Sequence, residues 1–336
     1  MTGKTKKNFS FRNFLFRYGF LFVLLLVIVY FSASAPSFFS LTAAISVLHT
    51  AAPLLVIASG LAFVIMTGRI DISVGSIAFL SSAVAALMIS RYHLSIPLAV
   101  ICMLALSCLM GAINGFIVVI LKVNPMIATF GTQLAYRGIG LFLTNSMVVS
   151  LPRSIRFLGN KKVGPIYVDI LFSLFVLLIM FLVHTRTQIG RQIVAIGNDI
   201  SIAEKLGIKE KKISFFGYLL CGLMAGLGGI VMTLQVGGVT PTSGTGYEFS
   251  AIAMLVIGGI SLYGGEGSIL PGILIGGITL AVIETGLNYV GASVYVYSFV
   301  RGGVIFVSMF ADALKTQIKP KAKIIEDEES STILAK

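Results

Sequence analysis

"GRIDISVGS", residues 68–76, interrupts two stretches suited to lipid: LHTAAPLLVIASGLAFVIMT (48–67) before it and IAFLSSAVAALMIS (77–90) after it. How the chain accommodates Arg69 and Asp71 between them decides the fold. One solution is a short wet turn closed by an Arg69–Asp71 salt bridge. The other is a broken helix whose backbone ends, with Asp71, Ser73 and Ser76, border a substrate path. Unwound backbone at membrane depth is tolerated only where it is buried in protein or lines a cavity.

The surrounding composition sets the class. Hydrophobic residues make up 57% of the 336 and charged residues 11%, with a mean hydropathy of +0.98. Soluble domains carry about 25% charged residues, so the expected architecture is an all-α, polytopic membrane bundle with broken or re-entrant segments. A span needs about 20 apolar residues. Ten windows qualify, centred on 18–35, 45–67, 72–90, 95–121, 125–145, 166–184, 212–236, 249–263, 268–290 and 293–312. The window 249–263 is short, and 125–145 contains Arg137.

Ten crossings put both termini on one side. Basic residues before Phe20, in 185–212 (Arg186, Arg191, Lys205, Lys209, Lys211, Lys212) and after Asp312 make that side cytoplasmic. The loop 146–165, with Arg153, Arg156, Lys161 and Lys162, dissents from this orientation. The expected organisation is a basic cytoplasmic tail (1–17), a transmembrane domain (18–312) with a cytoplasmic loop at 185–212, and a charged cytoplasmic tail (313–336). The net charge of +12 then orients the chain in lipid and does not imply nucleic acid. The basic start, the apolar run from Phe20 to Phe31 and Ala33-Ser34-Ala35 mimic a cleaved signal. Pro36 and the many later spans favour an uncleaved first helix.

Enzymatic readings find little support. "TGKT" (2–5) lacks the rest of a phosphate loop, and "YGGEGS" (263–268) has its glycines without the lysine and reads as a tight turn. Cys102, Cys108 and Cys221 lie in apolar runs, and His49, His93 and His184 have no ligand spacing. No catalytic residue, metal site or cofactor is expected. The pairs Gly111/Gly115, Gly222/Gly226 and Gly272/Gly276 are small-xxx-small patterns for close helix approach, within a bundle or a dimer.

Three polar interruptions remain. Besides 68–76 they are VNPMIATFGTQLAYRG (123–138), with Asn124, Pro125, Thr129, Thr132 and Arg137, and PTSGTGYEFSAIA (241–253), where a loop containing Thr245 feeds Glu248 into an apolar run. Charges in lipid cost at least about 2.5 kcal/mol at the bilayer centre, so they tend to face a cavity or a partner. In TRTQIGRQIVAIGNDISIAEKLGIKEKK (185–212), Ser201 and Glu204 form an S-x-x-E capping box and Gly207 can end the helix. A helix of about two turns is unstable alone in water, so it docks on its own bundle or on a cytoplasmic partner.

Four blocks in this order resemble the permease subunits of bacterial ATP-binding-cassette importers of the ribose/galactose/autoinducer-2 type. They are GRIDISVGS (68–76, like GGIDLSVGS), NPMIATFGTQLAYRG (124–138), IGRQIVAIGNDISIAEKLGI (189–208) and GTGYEFSAIAMLVIGGISLYGGEGSILPG (244–272). The resemblance implies import of a monosaccharide or related polyol across the bacterial inner membrane. It also implies a separate ATPase chain that binds ATP, an extracytoplasmic sugar-binding protein and a second permease chain, like or unlike this one. ATPase coupling would fall to Gly190, Arg191, Gly197, Ser201, Ala203, Glu204 and Gly207. The translocation path or gate would draw on the polar residues of the three interruptions. Arg69 departs from the block, which has glycine there. Alternatives are an amino-acid or nucleoside permease, which the IDISVGS block speaks against, and an ion-coupled secondary transporter using the buried carboxylates.

Overall fold

The computed structural model describes residues 24–318. The tail expected at 1–17 and residues 319–336 of the tail expected at 313–336 therefore lie outside the described residues, while 313–318 continue the last helix. Each of the ten apolar windows contains a helix. In chain order these are α1 (Leu24–Ser34), α2 (Leu41–Ile65), α3 (Val74–Ser90), α4 (Ile96–Gly115, continued by a π-helical turn, Phe116–Ile120) and α5 (Pro125–Thr144). After a single turn, α6 (Arg153–Arg156), come α7 (Val168–Arg186) and the two short helices of the 185–212 loop, α8 (Gln188–Asn198) and α9 (Ile200–Lys205). The remainder are α10 (Glu210–Val236), α11 (Tyr247–Ile257), α12 (Leu274–Tyr289) and α13 (Val294–Ile318). Among the described residues, five helical stretches are long and apolar enough to cross a membrane: α2, α4 with its π turn, α7, α10 and Ile269–Tyr289.

The core centres on α2, which packs against α10, α12, α7 and α11. Ser40 starts it, with extended backbone and an Oγ that accepts from the Ala43 amide at 3.2 Å. Helix α3 is buried on nearly every side from Val74 to Ala83, so no face of it meets lipid over that stretch. The glycine pairs bring α4 onto α10. A Cβ on Gly111 would stand 3.0 Å from the Gly222 Cα, and one on Gly226 would meet the Ser107 side chain. Gly115 lies against Phe215 and Tyr218, Gly272 against Gly258, and Gly276 against the Met254 carbonyl. At the N-terminal end, Phe31 of α1 fits against Gly286 and packs on the Phe38 ring.

Contacts separate the bundle into two ends. At one, β1 (Val149–Ser150) pairs antiparallel with β4 (Gly238–Val239), Ser90 donates to the Ser150 carbonyl, and His49 Nδ1 lies 2.8 Å from Asp169 Oδ2. A second two-stranded ribbon, β2 (Lys162–Val163) with β3 (Ile166–Tyr167), belongs to the same end. At the other end, the Gly265 amide donates to the Met66 carbonyl at 3.0 Å, and Gly197 and Gly264 close on the same turn. The loop containing "YGGEGS" thus seats against the last residues of α2 and α8.

Helix α11 is half the usual length for a structural reason. At 1.5 Å per residue its eleven residues span about 16 Å. The segment before it leaves β4 near the Ser90 end of α3 and descends along α3 until Gly244 meets Gly75 in that helix's first turn. A re-entrant loop, 240–246, therefore covers part of the bundle's depth as irregular backbone, with Ser243 and Gly244 buried against protein while Thr242 and Thr245 are exposed.

Candidate functional site

The chain between α2 and α3 crosses from Met66 to Ser73 without regular structure, and its polar groups turn inward. Asp71 is 0% exposed. Its Oδ1 accepts from the Ser73 amide at 2.9 Å and the Ser73 hydroxyl at 2.7 Å, closing an Asx turn ahead of α3. Asn114 of α4 donates from Nδ2 to both carboxylate oxygens, at 3.3 and 3.2 Å, and to Ser73 Oγ at 2.7 Å. The Thr129 hydroxyl accepts from the Ile72 amide at 3.1 Å, and the Tyr218 hydroxyl donates to the Ile70 carbonyl at 3.0 Å. The Asp71 carboxylate, the Ile72 amide and the Ile70 carbonyl are thus drawn toward α4, α5 and α10.

The Arg69–Asp71 salt bridge does not form. Arg69 points instead to α10: Nη2 lies 2.5 Å from Glu210 Oε1, and Nη1 donates to Ser214 Oγ at 3.0 Å. The reason is steric as well as electrostatic. Asp71 is turned into the α3 cap and saturated by Ser73 and Asn114, while Glu210 at the start of α10 offers an acidic partner nearer the bundle end. Sequence reasoning missed both Asn114 and Glu210. Each lies far along the chain from its partner, and neither carries a local motif.

The second and third interruptions converge beside the first. Asn124 is exposed and caps α5, accepting from the Met126 and Ile127 amides, and Pro125 follows at the first helical position. Thr129 is buried and also donates to the Pro125 carbonyl; Thr132 is half-buried and donates to the Thr129 carbonyl. One helical turn further, Arg137 lies 4.5 Å over the Phe79 ring and donates from Nη1 to the Ser243 carbonyl at 2.7 Å. Gln133, between them, donates to Glu248 Oε1 at 2.9 Å.

Glu248 sits in the first turn of α11, where the helix dipole favours negative charge. Its Oε2 is buried, makes no hydrogen bond and faces Gly75. Ser76 Oγ is likewise buried without a partner, and Thr245 is exposed on the re-entrant loop. The two patches are continuous through Gly75 and Thr129. They make a polar seam inside an apolar bundle, between α3, α5 and the start of α11.

In the 185–212 loop, Thr187 caps α8 by accepting from the Gly190 amide. Gly190 fits under the His184 carbonyl, and Arg191 is exposed. The expected capping box is corrected. Asp199, extended at φ −162°, is the N-cap of α9, and its Oδ1 accepts from the Ile202 amide at 3.0 Å. Ser201 is already inside the helix and spends its hydroxyl on Asp199 at 2.7 Å. That hydrogen bond from Ile202, then the Ser201 hydroxyl, hold the Asp199 carboxyl below its ordinary pKa. Gly207, at φ +79°, ends α9 in the left-handed conformation, with its amide on the Glu204 carbonyl and the Ile208 amide on the Ala203 carbonyl. Ala203 is buried within the chain, whereas Ile200, Ile202, Glu204 and Leu206 face outward.

Comparison with known proteins identifies this architecture. The family described as "Branched-chain amino acid transport system / permease component" matches residues 43–309, which includes every interruption above. The chain belongs to this family. It is a transport permease, not an enzyme, and a multi-pass membrane protein. The ribose import permease protein RbsC of Escherichia coli (strain K12) is 36% identical over 88% of this chain and 93% of its own length. The D-allose transport system permease protein AlsC of the same organism is 34% identical over 92% and 95%. The autoinducer 2 import system permease protein LsrC of Photorhabdus luminescens is 32% identical over 82% and 83%. No solved structure matches the chain. Among the described residues, no cluster of three or more His, Cys, Asp or Glu side chains could hold a metal ion.

Proposed function

We propose that this chain is the membrane-spanning permease subunit of an ATP-binding-cassette importer in the bacterial inner membrane, carrying a monosaccharide or related small polyol. The observation that carries the reading is the end-to-end likeness to import permeases for ribose, allose and autoinducer 2, each covering more than four-fifths of both chains. The translocation path runs along the polar seam: Arg69, Asp71, Ser73, Ser76, Asn124, Pro125, Thr129, Thr132, Arg137, Thr245 and Glu248. Within it, Arg69, Asp71 and Ser73 hold the turn that shapes the path, since their hydrogen bonds go to protein. The free oxygen of Glu248, the exposed Thr245 and the remaining hydrogen-bonding positions of Thr132 and Arg137 are the groups left to meet sugar. A second permease chain closes the open side of the seam, where α5 exposes Gly131, Ala135 and Gly138.

Energy enters from a separate ATPase chain that binds the ATP. Helix α9 is its handle, a rigid knob whose outward Ile200, Ile202, Glu204 and Leu206 enter a groove on that partner, with Gly190, Arg191, Gly197, Ser201, Ala203 and Gly207 setting its shape and position. The binding protein docks at the opposite end, around β1 and β4. Both termini are cytoplasmic and the chain crosses ten times. The basic loop 146–165 does not reverse this orientation, because two of its cations are engaged locally. Arg156 Nε donates to the Leu151 carbonyl at 2.8 Å, and Lys162 stands 4.3 Å over the Tyr167 ring.

The test is a mild-detergent purification from native membranes followed by mass spectrometry. The expected result is a stoichiometric chain bearing a phosphate-loop ATPase, and ATP-dependent accumulation of radiolabelled D-ribose or D-allose after reconstitution with the binding protein. A pure oligomer of this chain in repeated preparations, with uptake that collapses under an ionophore, would replace the reading with a secondary transporter.

A further inference from the structure

Arg69 stands where the resembled block carries glycine, and its contacts lead away from the substrate path. The guanidinium grips the first two turns of α10 through Glu210 at 2.5 Å and Ser214 at 3.0 Å, and Ser214 Oγ donates to the same Glu210 oxygen at 3.0 Å. The Arg69 and Glu210 side chains are only 17% and 9% exposed, so salt screens the pair weakly.

Helix α10 is joined to the knob α9 by a stiff connection. The Ile208 amide bonds back to Ala203 at 3.1 Å, and the Glu210 amide bonds to the Ile208 carbonyl at 3.0 Å. The other end of the loop reaches the same place. Gly197 of α8 lies against the Met66 carbonyl and Gly265, two and three residues from Gly68 and Arg69. Any displacement of α9 therefore arrives at the Met66–Ser73 turn from two directions. Along the α10 route the link is a charge-assisted two-bond contact with a fixed direction.

We infer that Arg69 is a positioning residue that transmits movement of the α9 knob, through Glu210, to the Asp71 turn at the gate. The inference rests on the importer reading. A glycine at 69 could not make this connection, so this chain couples its gate to α10 by a side chain that the resembled block lacks.

The experiment reconstitutes the permease with its co-purified ATPase and binding protein in proteoliposomes. It reads uptake of radiolabelled D-ribose or D-allose, whichever the wild type accumulates, per ATP hydrolysed. Arg69→Gly and Glu210→Gln are each expected to lower that ratio roughly tenfold, the factor equivalent to about 1.4 kcal/mol of lost coupling, with hydrolysis held within about twofold. The double variant should be no worse than either single. The exchange Arg69→Glu with Glu210→Arg should recover most of the ratio, which shows that the two side chains act as a pair, while the retained hydrolysis separates lost coupling from lost folding. Arg69→Lys, assayed beside them, should keep at least about half.

Wild-type ratios in Arg69→Gly, additive losses in the double variant, or an exchange that stays at the single-variant level each overturn the inference while leaving the importer reading intact. Parallel loss of hydrolysis and uptake in all variants also overturns it, since the ATPase would then have been undocked rather than uncoupled. A wild type that accumulates neither sugar with ATP removes the importer reading and this inference with it.

Discussion

The contact between Gly75 and Gly244 fixes the depth of the re-entrant loop, and a single methyl group there tests that assignment. A Cβ on Gly75 would lie 2.3 Å from the Gly244 carbonyl oxygen and 2.5 Å from Glu248 Oε2. Carbon and oxygen settle at about 3.3–3.6 Å, so Gly75→Ala demands a displacement of about 1 Å from backbone rather than from a flexible side-chain tip. Overpacking of this kind costs about 1–3 kcal/mol, offset by about 0.5–1 kcal/mol from replacing a helical glycine. The net loss is about 0–2.5 kcal/mol. Gly244→Ala is worse on two counts. Its Cβ would stand 2.5 Å from the Gly75 carbonyl, and its φ of +69° adds about 1–2 kcal/mol of left-handed strain.

The assay is thermal unfolding of the detergent-solubilised chain, followed by cysteine-reactive dye, beside ATP-driven uptake in the reconstituted complex. The midpoint should fall in the order wild type, Gly75→Ala, Gly244→Ala. Uptake should fall more than stability does, because the displaced atoms include the Glu248 carboxylate at the path. Gly217→Ala is the control: its Cβ would meet nothing nearer than the Phe63 carbonyl at 3.6 Å, so it should leave uptake unchanged and raise the midpoint slightly. Gly75→Ala with wild-type midpoint and uptake would refute the packing, and with it the placement of α11 as a half-length helix reached by a loop packed on α3.

Asn114→Leu should destabilise more than Asp71→Asn, by about 1–3 kcal/mol in the same unfolding assay, since it strands a buried carboxylate; equal or reversed losses would show that the carboxylate is not held as described. Ile202→Ala with Leu206→Ala should leave the chain's thermal midpoint within about 0.5 kcal/mol of wild type and abolish co-purification of the ATPase; retained co-purification would remove α9 as the handle. The Asp199 cap carries a pH signature. Its carboxyl pKa is lower folded than unfolded, so its contribution to α9 is fully present above the unfolded value and is lost as pH falls through the folded one. Hydrogen exchange at the Ile202 amide, corrected for intrinsic rates, should lose protection over that acid window in the wild type and not in Asp199→Asn, whose amide oxygen caps at every pH. Identical profiles would dismiss the cap.

What the sequence discloses here is what depends on neighbours along the chain. Apolar windows mark the helices because span length and hydropathy are local. Gly207 is a legible helix end because left-handed backbone favours glycine wherever it occurs. That Asp199 takes the cap in place of Ser201 is not legible in the same way. Both are good N-cap residues two positions apart, and the decision belongs to the tertiary path out of α8, where the Asp199 amide still bonds to the Ala195 carbonyl at 3.2 Å. The seam itself was only half legible. Arg69, Asp71, Thr129 and Glu248 stand out as polar groups in apolar runs, but their partners do not.

Asn114 ends an apolar helix and looks incidental; Glu210 opens α10 among lysines and reads as a solvated charge. Neither can be paired by sequence, since charge and spacing alone made Asp71 the natural partner of Arg69. Burial decides otherwise. A carboxylate fully enclosed by protein takes the donors that its own turn and the nearest helix supply, and a long cation follows its stem toward the bundle end. The same reasoning applies to Gly75 and Gly244, which lie in two separate polar interruptions of the sequence. Nothing in either stretch records that two backbones must touch, and only the descent of the loop along α3 makes each glycine necessary to the other.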